Sequence, residues 1–216
     1  MKVLNEETSK DIITDIKNMS DENFIKDLES QGAIYLGKIP ILDIESNNKK
    51  HIFIINGSGG RGKDTFIECC SKHVKVFNIS SVDKVKEACT ILGYDENRKN
   101  EEDRRFLNEV KFLSIKYSNH PYNYVLDMVT LFKKSDDDIM FIHIREPEEI
   151  NAIKSTFYCQ TILINNINVE IITSNTADAN VNNYNYDFVI NNNGTLTDLE
   201  RISKEFIKKL KSKEVW

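Results

Sequence analysis

Ile52-Phe-Ile-Ile-Asn56, followed at once by Gly57-Ser-Gly-Gly-Arg-Gly62-Lys63-Asp64-Thr65, is the stretch on which the reading of this chain turns. Five residues dominated by Ile and Phe, bounded by a glycine-rich run, predict a buried β-strand. The run that follows fits the spacing G-x-x-x-x-G-K, with an apolar strand before it and a helical pattern after it. Gly57, Gly59, Gly60 and Gly62 let the backbone curl until successive N–H groups converge on phosphate oxygens. Ser58 and Arg61 fill the positions between them. The helix after the loop aims its positive end at the same point, and Lys63 supplies a point charge for the outer phosphates. Most loops of this spacing carry Ser or Thr after the lysine to meet a metal ion, whereas this one carries Asp64 and then Thr65. An oxygen ligand is all that Mg²⁺ requires, so Asp64 either ligates the ion or caps the helix, where an acidic residue is also favoured.

Downstream of the loop, short apolar runs alternate with helical stretches, the pattern of a parallel sheet covered on both faces. Strands are predicted at His51 to Asn56, Val74 to Ile79, Ile139 to Ile144, Thr161 to Ile164 and Tyr186 to Ile190. Helices are predicted near Asp64 to Lys72, Val82 to Leu92, Asp103 to Tyr117, Tyr122 to Lys133 and Pro147 to Phe157, with a last one from about Leu196 to Leu210 capped by Thr195 or Thr197. Residues 1–50 differ in texture. Ile12, Ile13, Ile16 and Met19, then Phe24, Ile25 and Leu28, recur at helical spacing and predict two short helices. An arm interrupted by Gly37 and Pro40 follows, and the polar run from Ser46 to Lys50 reads as a linker. The expected organisation is an N-terminal extension over 1–50 and a nucleotide-binding domain over 51–216.

The chain has 216 residues, 40% of them hydrophobic and 29% charged, which excludes global disorder. Its 29 basic and 34 acidic residues give a net charge of −5, so the general attraction of a basic surface for nucleic acid is lacking. No basic stripe interleaved with aromatics is present, and a nucleic-acid-dependent ATPase is set aside on that ground. No apolar run reaches the roughly 18 residues of a membrane span, and the expected location is the cytoplasm. Cys69, Cys70, Cys89 and Cys159 form no C-x-x-C pair, so they read as reduced, packed thiols.

The string Gly-Lys-Asp-Thr at 62–65 resembles the phage-type deoxynucleoside monophosphate kinases and, more loosely, phosphomevalonate and dephospho-coenzyme A kinases of the P-loop group. His143-Ile-Arg145-Glu-Pro147-Glu-Glu149 is similar to that group's Asp-x-Arg-x-Pro-x-Glu, and the run from Tyr186 to Leu196 is similar to its last strand and turn. The resemblance spans roughly residues 51 to 210. It implies a five-stranded parallel sheet of order 2-3-1-4-5 with ligands at the carboxyl ends of the strands. It also implies ATP and Mg²⁺ as cofactors. Gly57 to Thr65 would hold the phosphates, Asp64 and Thr65 the metal, and Asn192 and Gly194, in the turn from 191 to 194, would approach the adenine. Arg145 would neutralise charge on the transferring phosphoryl group.

The departures from that group define the open questions. His143 stands where the group has aspartate, so Glu146 or Asp64 would have to substitute for it. The helix from Pro147 leads directly into the strand at Thr161, leaving little room for an arginine-bearing lid. The insertion between Asp83 and Asp138 carries Ser80-Ser-Val-Asp83-Lys-Val-Lys86 and Glu101-Glu-Asp-Arg104-Arg105. Asp83 would orient the acceptor, and Arg104 or Arg105 would bind it if it is anionic; neighbours on a helix cannot both face one ligand. The expected activity is transfer of the γ-phosphoryl group of ATP to a small acceptor, a nucleoside monophosphate first among them, with no nucleic-acid or membrane partner and room for a homodimer. The alternative from another class is a nucleotide-binding sensor or interaction module with little transferase activity.

Overall fold

Strand β1, His51–Asn56, shows why an unbroken apolar run marks a parallel strand. Successive side chains point to opposite faces, and here both faces are covered. Ile52 and Ile54 join one core with Met140, Ile142, Val125, Val129, Phe132 and Ile150. Phe53 and Ile55 join the other with Phe66, Phe141, Ile162, Leu199 and Phe206. Burying one such side chain contributes about 1.5–3 kcal/mol, so neither layer is dispensable.

The computed structural model describes residues 50–98, 100–169, 181 and 184–212. The helices and arm expected within residues 1–49, and the polar segment 172–180, lie outside the described residues. After β1 come α1 (Lys63–Ser71), β2 (Val76–Ser80), α2 (Asp83–Ile91), α3 (Glu101–Ser118), α4 (His120–Lys134), β3 (Ile139–His143), α5 (Pro147–Thr156), β4 (Gln160–Asn165), β5 (Phe188–Asn191) and α6 (Leu196–Lys211). The five strands form one sheet in the order β2-β3-β1-β4-β5, every neighbouring pair parallel. The predicted sheet order and flanking helices are therefore observed.

Local chemistry fixes the element ends. Thr195 and Asp198 cap α6 reciprocally, each side chain accepting from the other's backbone N–H, and Lys208, Lys209 and Lys211 face the negative end of its dipole. Asn100 caps α3 by accepting from Asp103 N. Asn119 alone joins α3 to α4, in the left-handed conformation that asparagine tolerates. Lys50 closes the far end of α4, its ammonium donating to the carbonyls of Phe132, Ser135 and Asp137 at 2.6–2.9 Å. Two strands begin later than predicted. β2 starts at Val76 because Lys75 is engaged in a turn, its N–H donating to Asp138 Oδ2 and its carbonyl accepting from Asp138 N. β5 starts at Phe188 because Tyr186 and Asp187 are drawn into side-chain bonds with Asn56 and Thr161. Among the described residues no helix is long and apolar enough to cross a membrane, and all four cysteines are buried thiols.

Candidate functional site

The chain runs from β1 to β2 at the sheet edge, returns to β3 beside β1, then crosses to β4 and β5 on the other side, so the strand order reverses beside β1. Open α/β sheets bind ligands in the crevice at the carboxyl ends of the strands at such a point. The loop from 57 to 62 lies there, between β1 and α1.

Two of its glycines are required by their surroundings. At Gly57, with φ of 147°, a Cβ would stand 2.5 Å from the carbonyl oxygen of Ile164 in β4. At Gly62, with φ of 91°, it would collide with the Asn192 side-chain nitrogen. The tip of the loop is a turn across Gly59 and Gly60, closed by Arg61 N donating to the Ser58 carbonyl at 3.4 Å. Gly60 takes positive φ there, as do Gly57 and Gly62, whereas Gly59 does not. Gly62 is also the N-cap of α1, without a side-chain cap hydrogen bond, and Asp64 stands in the first turn, where a carboxylate complements the helix dipole. Lys63 turns back over the loop, its ammonium donating to the carbonyls of Gly57 at 2.5 Å and Ser58 at 3.1 Å. Ser58 is buried. Arg61 is buried too, but its guanidinium points away from the loop's concavity: it donates to Asn165 Oδ1 at the end of β4 and to the Val169 carbonyl at 3.1 Å. Gly60 faces the same connection, its Cβ position 3.9 Å from the Val169 side chain.

The loop is held from behind by asparagines that end strands. Asn56 Oδ1 accepts from Gly57 N at 2.8 Å, while its Nδ2 donates to the Arg145 carbonyl at 3.1 Å and to the Tyr186 hydroxyl at 2.8 Å. Tyr186 in turn donates to the Val181 carbonyl, and burial pushes its phenol up to about 12, so it keeps its proton. Asn192 N donates to the Asn165 carbonyl, and Asn192 Nδ2 donates to the Arg61 carbonyl at 3.1 Å. Asn192 therefore stands against the phosphate loop, whereas Gly194 lies in the capping turn of α6, its Cβ position 2.6 Å from Asp198 Oδ2. Sequence reasoning did not single out Asn56, Asn165 or Tyr186. A polar residue closing an otherwise apolar strand is the signal that was available for the two asparagines.

At the carboxyl end of β3, His143 pairs in register with Ile55 of β1 and Ser80 of β2. Its Nε2 lies 3.1 Å from Asn78 Oδ1 and 3.8 Å from Asp64 Oδ1. Burial drives its pKa down to about 4, with Asp64 opposing and Lys63, Lys86 and Arg145 adding to the fall, so the imidazole is uncharged at neutral pH. The Asp64 side chain is 91% exposed, and Thr65 is half-buried behind it. Arg145 is half-buried beside this group. Glu146, next to it, has its carboxyl pushed up by burial against the pull of Lys111, with Glu149 and Glu148 adding to the rise. Lys111 of α3 binds Glu149 at 2.5 Å, tying α3 to the start of α5.

The residues expected to meet an acceptor are spread wider. Asp83 begins α2, and its Oδ2 accepts from Ser80 N at 2.8 Å, closing the turn after β2. Arg104 is half-buried on α3. Arg105 is exposed, 4.0 Å from Glu109, and lines a cavity of about 380 Å³ between the end of α2 and the start of α3. Arg98 borders the same cavity and holds the buried Asp103 carboxylate through two 2.8 Å bonds. No residue of the phosphate loop lines that cavity. The arrangement thus brings Lys63, Asp64, His143 and the loop together, and sets Arg105 in a separate depression.

The sheet order, the flanking helices and the glycine-rich loop after β1 define a three-layer α/β protein with a phosphate-loop motif after its first strand. Solved structures of similar chain path include TT1252 from Thermus thermophilus, at 17% identity and a TM-score of 0.45 over 74% of this chain and 98% of that one. The APS kinase of Mycobacterium tuberculosis, solved with AMPPNP and APS, is similar at 10% identity and a TM-score of 0.42 over 76% of this chain and 98% of its own. Shikimate kinase from Aquifex aeolicus is similar at 14% identity and a TM-score of 0.39 over 74% and 96%. No protein-family model matches the sequence, and no curated protein does.

Proposed function

We propose that this protein is an ATP-dependent phosphotransferase that passes the γ-phosphoryl group to a small acceptor, a nucleoside monophosphate. The observation that carries the reading is the Lys63 ammonium, held within 2.5 and 3.1 Å of the first two loop carbonyls at the mouth of a glycine-lined turn. A phosphate chain entering that turn meets backbone N–H groups, the positive end of α1 and this cation together. Lys63 would orient the outer phosphates, and Arg145, at the exit of β3, would offset the charge that develops on the transferring group. Asp83 would orient the acceptor, with Arg104 or Arg105 binding it if anionic, and Asn192 and Gly194 would flank the base. The residues present fit the divalent ion that ATP carries. The exposed Asp64 carboxylate, with Thr65 beside it, would hold it, and the ion would supply further neutralisation of phosphate charge.

The alternative, a nucleotide-binding module with little turnover, is favoured by two observations. An imidazole occupies the strand-end position where the resembling kinases have a carboxylate. Between α5, which ends at Thr156, and β4, which begins at Gln160, there is little room for a lid.

ADP formation measured with Mg²⁺ and a panel of nucleoside monophosphates and other small acceptors separates the two. Acceptor-dependent ADP release that falls at least about 100-fold in Lys63→Ala supports the kinase. Nucleotide binding that Lys63→Ala abolishes, without turnover on any acceptor, overturns it in favour of the binding module.

A further inference from the structure

We propose that Arg61, although it lies inside the phosphate loop, sets the affinity of the protein for the nucleoside part of its nucleotide and not for the phosphates, by holding the turn from Asn166 to Val169, with Ile167 at its tip, as a wall of the base site. The inference rests on nucleotide binding at the loop as read above. Arg61 is 7% exposed. Its guanidinium donates to Asn165 Oδ1 and to the Val169 carbonyl, both neutral acceptors, and its Nε is buried without a hydrogen-bond partner among the described residues. A cation buried among neutral groups with one donor unpaired is a cost to the fold rather than a support. Lys63, the other cation of the loop, lies over the carbonyls of Gly57 and Ser58, where phosphates would enter. Arg61 is turned instead to the connection after β4.

Its two acceptors bracket a turn. Asn165 ends β4, and Val169 closes the turn that follows, its N–H donating to the Asn166 carbonyl at 3.3 Å. One planar guanidinium engaged at both ends fixes that turn against the loop. The turn is also fixed to the exit of β5: Ile167 N donates to Asn193 Oδ1 at 3.0 Å, and Asn168 Nδ2 donates to the Asn193 carbonyl at 3.1 Å. Asn192 Nδ2 returns to the Arg61 carbonyl at 3.1 Å. Loop, turn and β5 exit are thereby closed into one ring of hydrogen bonds. Ile167 is 73% exposed at the tip of this ring, a large apolar side chain on a polar, well-tied backbone. Small-ligand sites pair apolar surface with a few fixed polar groups, and the apolar face of a base suits an aliphatic side chain placed beside the turn from 191 to 194.

The test is titration calorimetry on the full chain with two ligands in the presence of Mg²⁺: a non-hydrolysable ATP analogue, and inorganic tripolyphosphate, which carries the phosphates without a nucleoside. The parent should bind the analogue more tightly than tripolyphosphate. Arg61→Gln should lower affinity for the analogue roughly tenfold and leave tripolyphosphate as it was, because the change removes a charged donor from the turn and nothing from the phosphates. Ile167→Ser, at an exposed position, should lower affinity for the analogue roughly threefold, again without effect on tripolyphosphate. Lys63→Ala should weaken both ligands. Equal losses of the two ligands in a folded Arg61→Gln chain would make Arg61 a phosphate ligand and overturn this inference, as would full affinity for the analogue in Ile167→Ser. If Arg61→Gln does not fold, Ile167→Ser alone decides. These results leave the phosphotransferase reading standing, whereas a parent chain that binds neither ligand overturns both.

Discussion

The phosphate loop and helix α3 are built by opposite means. Around the loop, Asn56 and Asn192 bond backbone groups of Gly57, Arg145 and Arg61, Asn165 accepts from the Arg61 guanidinium, Tyr186 links Asn56 to the Val181 carbonyl, and Gly57 and Gly62 accept neighbours at distances no other residue permits. Helix α3 runs for 18 residues, and the one side chain it buries is Asp103. Phe112, Leu113 and Tyr117 on the same helix are exposed by 65, 62 and 92%. Nucleotide phosphates are the same in every partner molecule, so a rigid grip on them loses nothing. Helix α3, to which the proposed function gives the acceptor, is lightly packed, and the Lys111–Glu149 ion pair ties it to the start of α5. Lightly packed elements open at low free energy, which is where substrate-dependent movement is drawn from.

The largest effect expected from testing this contrast is at Asn56. Asn56→Ala removes one side chain that satisfies Gly57 N, the Arg145 carbonyl and the Tyr186 hydroxyl, and leaves buried polar groups without those partners. Each such loss costs about 1–3 kcal/mol, so a destabilisation of about 3 kcal/mol in chemical denaturation is expected. Nucleotide binding should fall as well, because Gly57 would lose its anchor. A variant as stable as the parent that binds nucleotide normally would show that the loop's glycines hold the cradle unaided.

A smaller effect belongs to Asp187, on the same polar framework but at its rim. Burial alone would push this carboxyl up, but bonds from Lys154 and from the Thr161 hydroxyl and N–H outweigh it and hold it below its ordinary value. A carboxyl depressed on folding contributes stability that is complete above its unfolded value, near 3.9, and is lost as the pH falls through the folded value. Melting temperature should therefore drop as the pH is lowered from about 5 to 3, and Asp187→Asn should flatten part of that acid limb. An unchanged acid limb in the variant would remove Asp187 from the framework.

How much of this was legible beforehand follows the same division. The loop, the strands and a cap at Thr195 or Thr197 depend on runs of adjacent residues, and periodicity plus glycine spacing is enough to read them, whereas the strand order was implied by the family resemblance. Spacing does not tell which glycines the backbone needs, since Gly59 sits in the run beside Gly60 yet only Gly60 takes positive φ. Asn56 to Tyr186, Arg61 to Asn165 and Lys111 to Glu149 join residues 130, 104 and 38 positions apart. Nothing local in the sequence announces such pairings. Arg61 is the instructive case: by position it belongs to the phosphate loop, yet its side chain serves the connection after β4. The meeting of Asp64, His143 and Asn78 was likewise invisible until the sheet placed β2 beside β3 and both under α1.

The smallest effect on stability is expected on α3, and it is the sharpest test of the contrast. Phe112 and Leu113 pack too little to support the fold, so replacing both by serine should shift stability by no more than about 0.5 kcal/mol. The same change removes two large apolar side chains from the helix that carries Arg104 and Lys111. If α3 forms a wall of the acceptor cleft, acceptor KM should rise while the affinity for nucleotide stays as it was. A loss of nucleotide affinity would mean that α3 and the loop move as one body. A marked loss of stability would mean that this helix is held by more than the contacts its exposed face shows, and the division between a rigid grip and a yielding selector would fail.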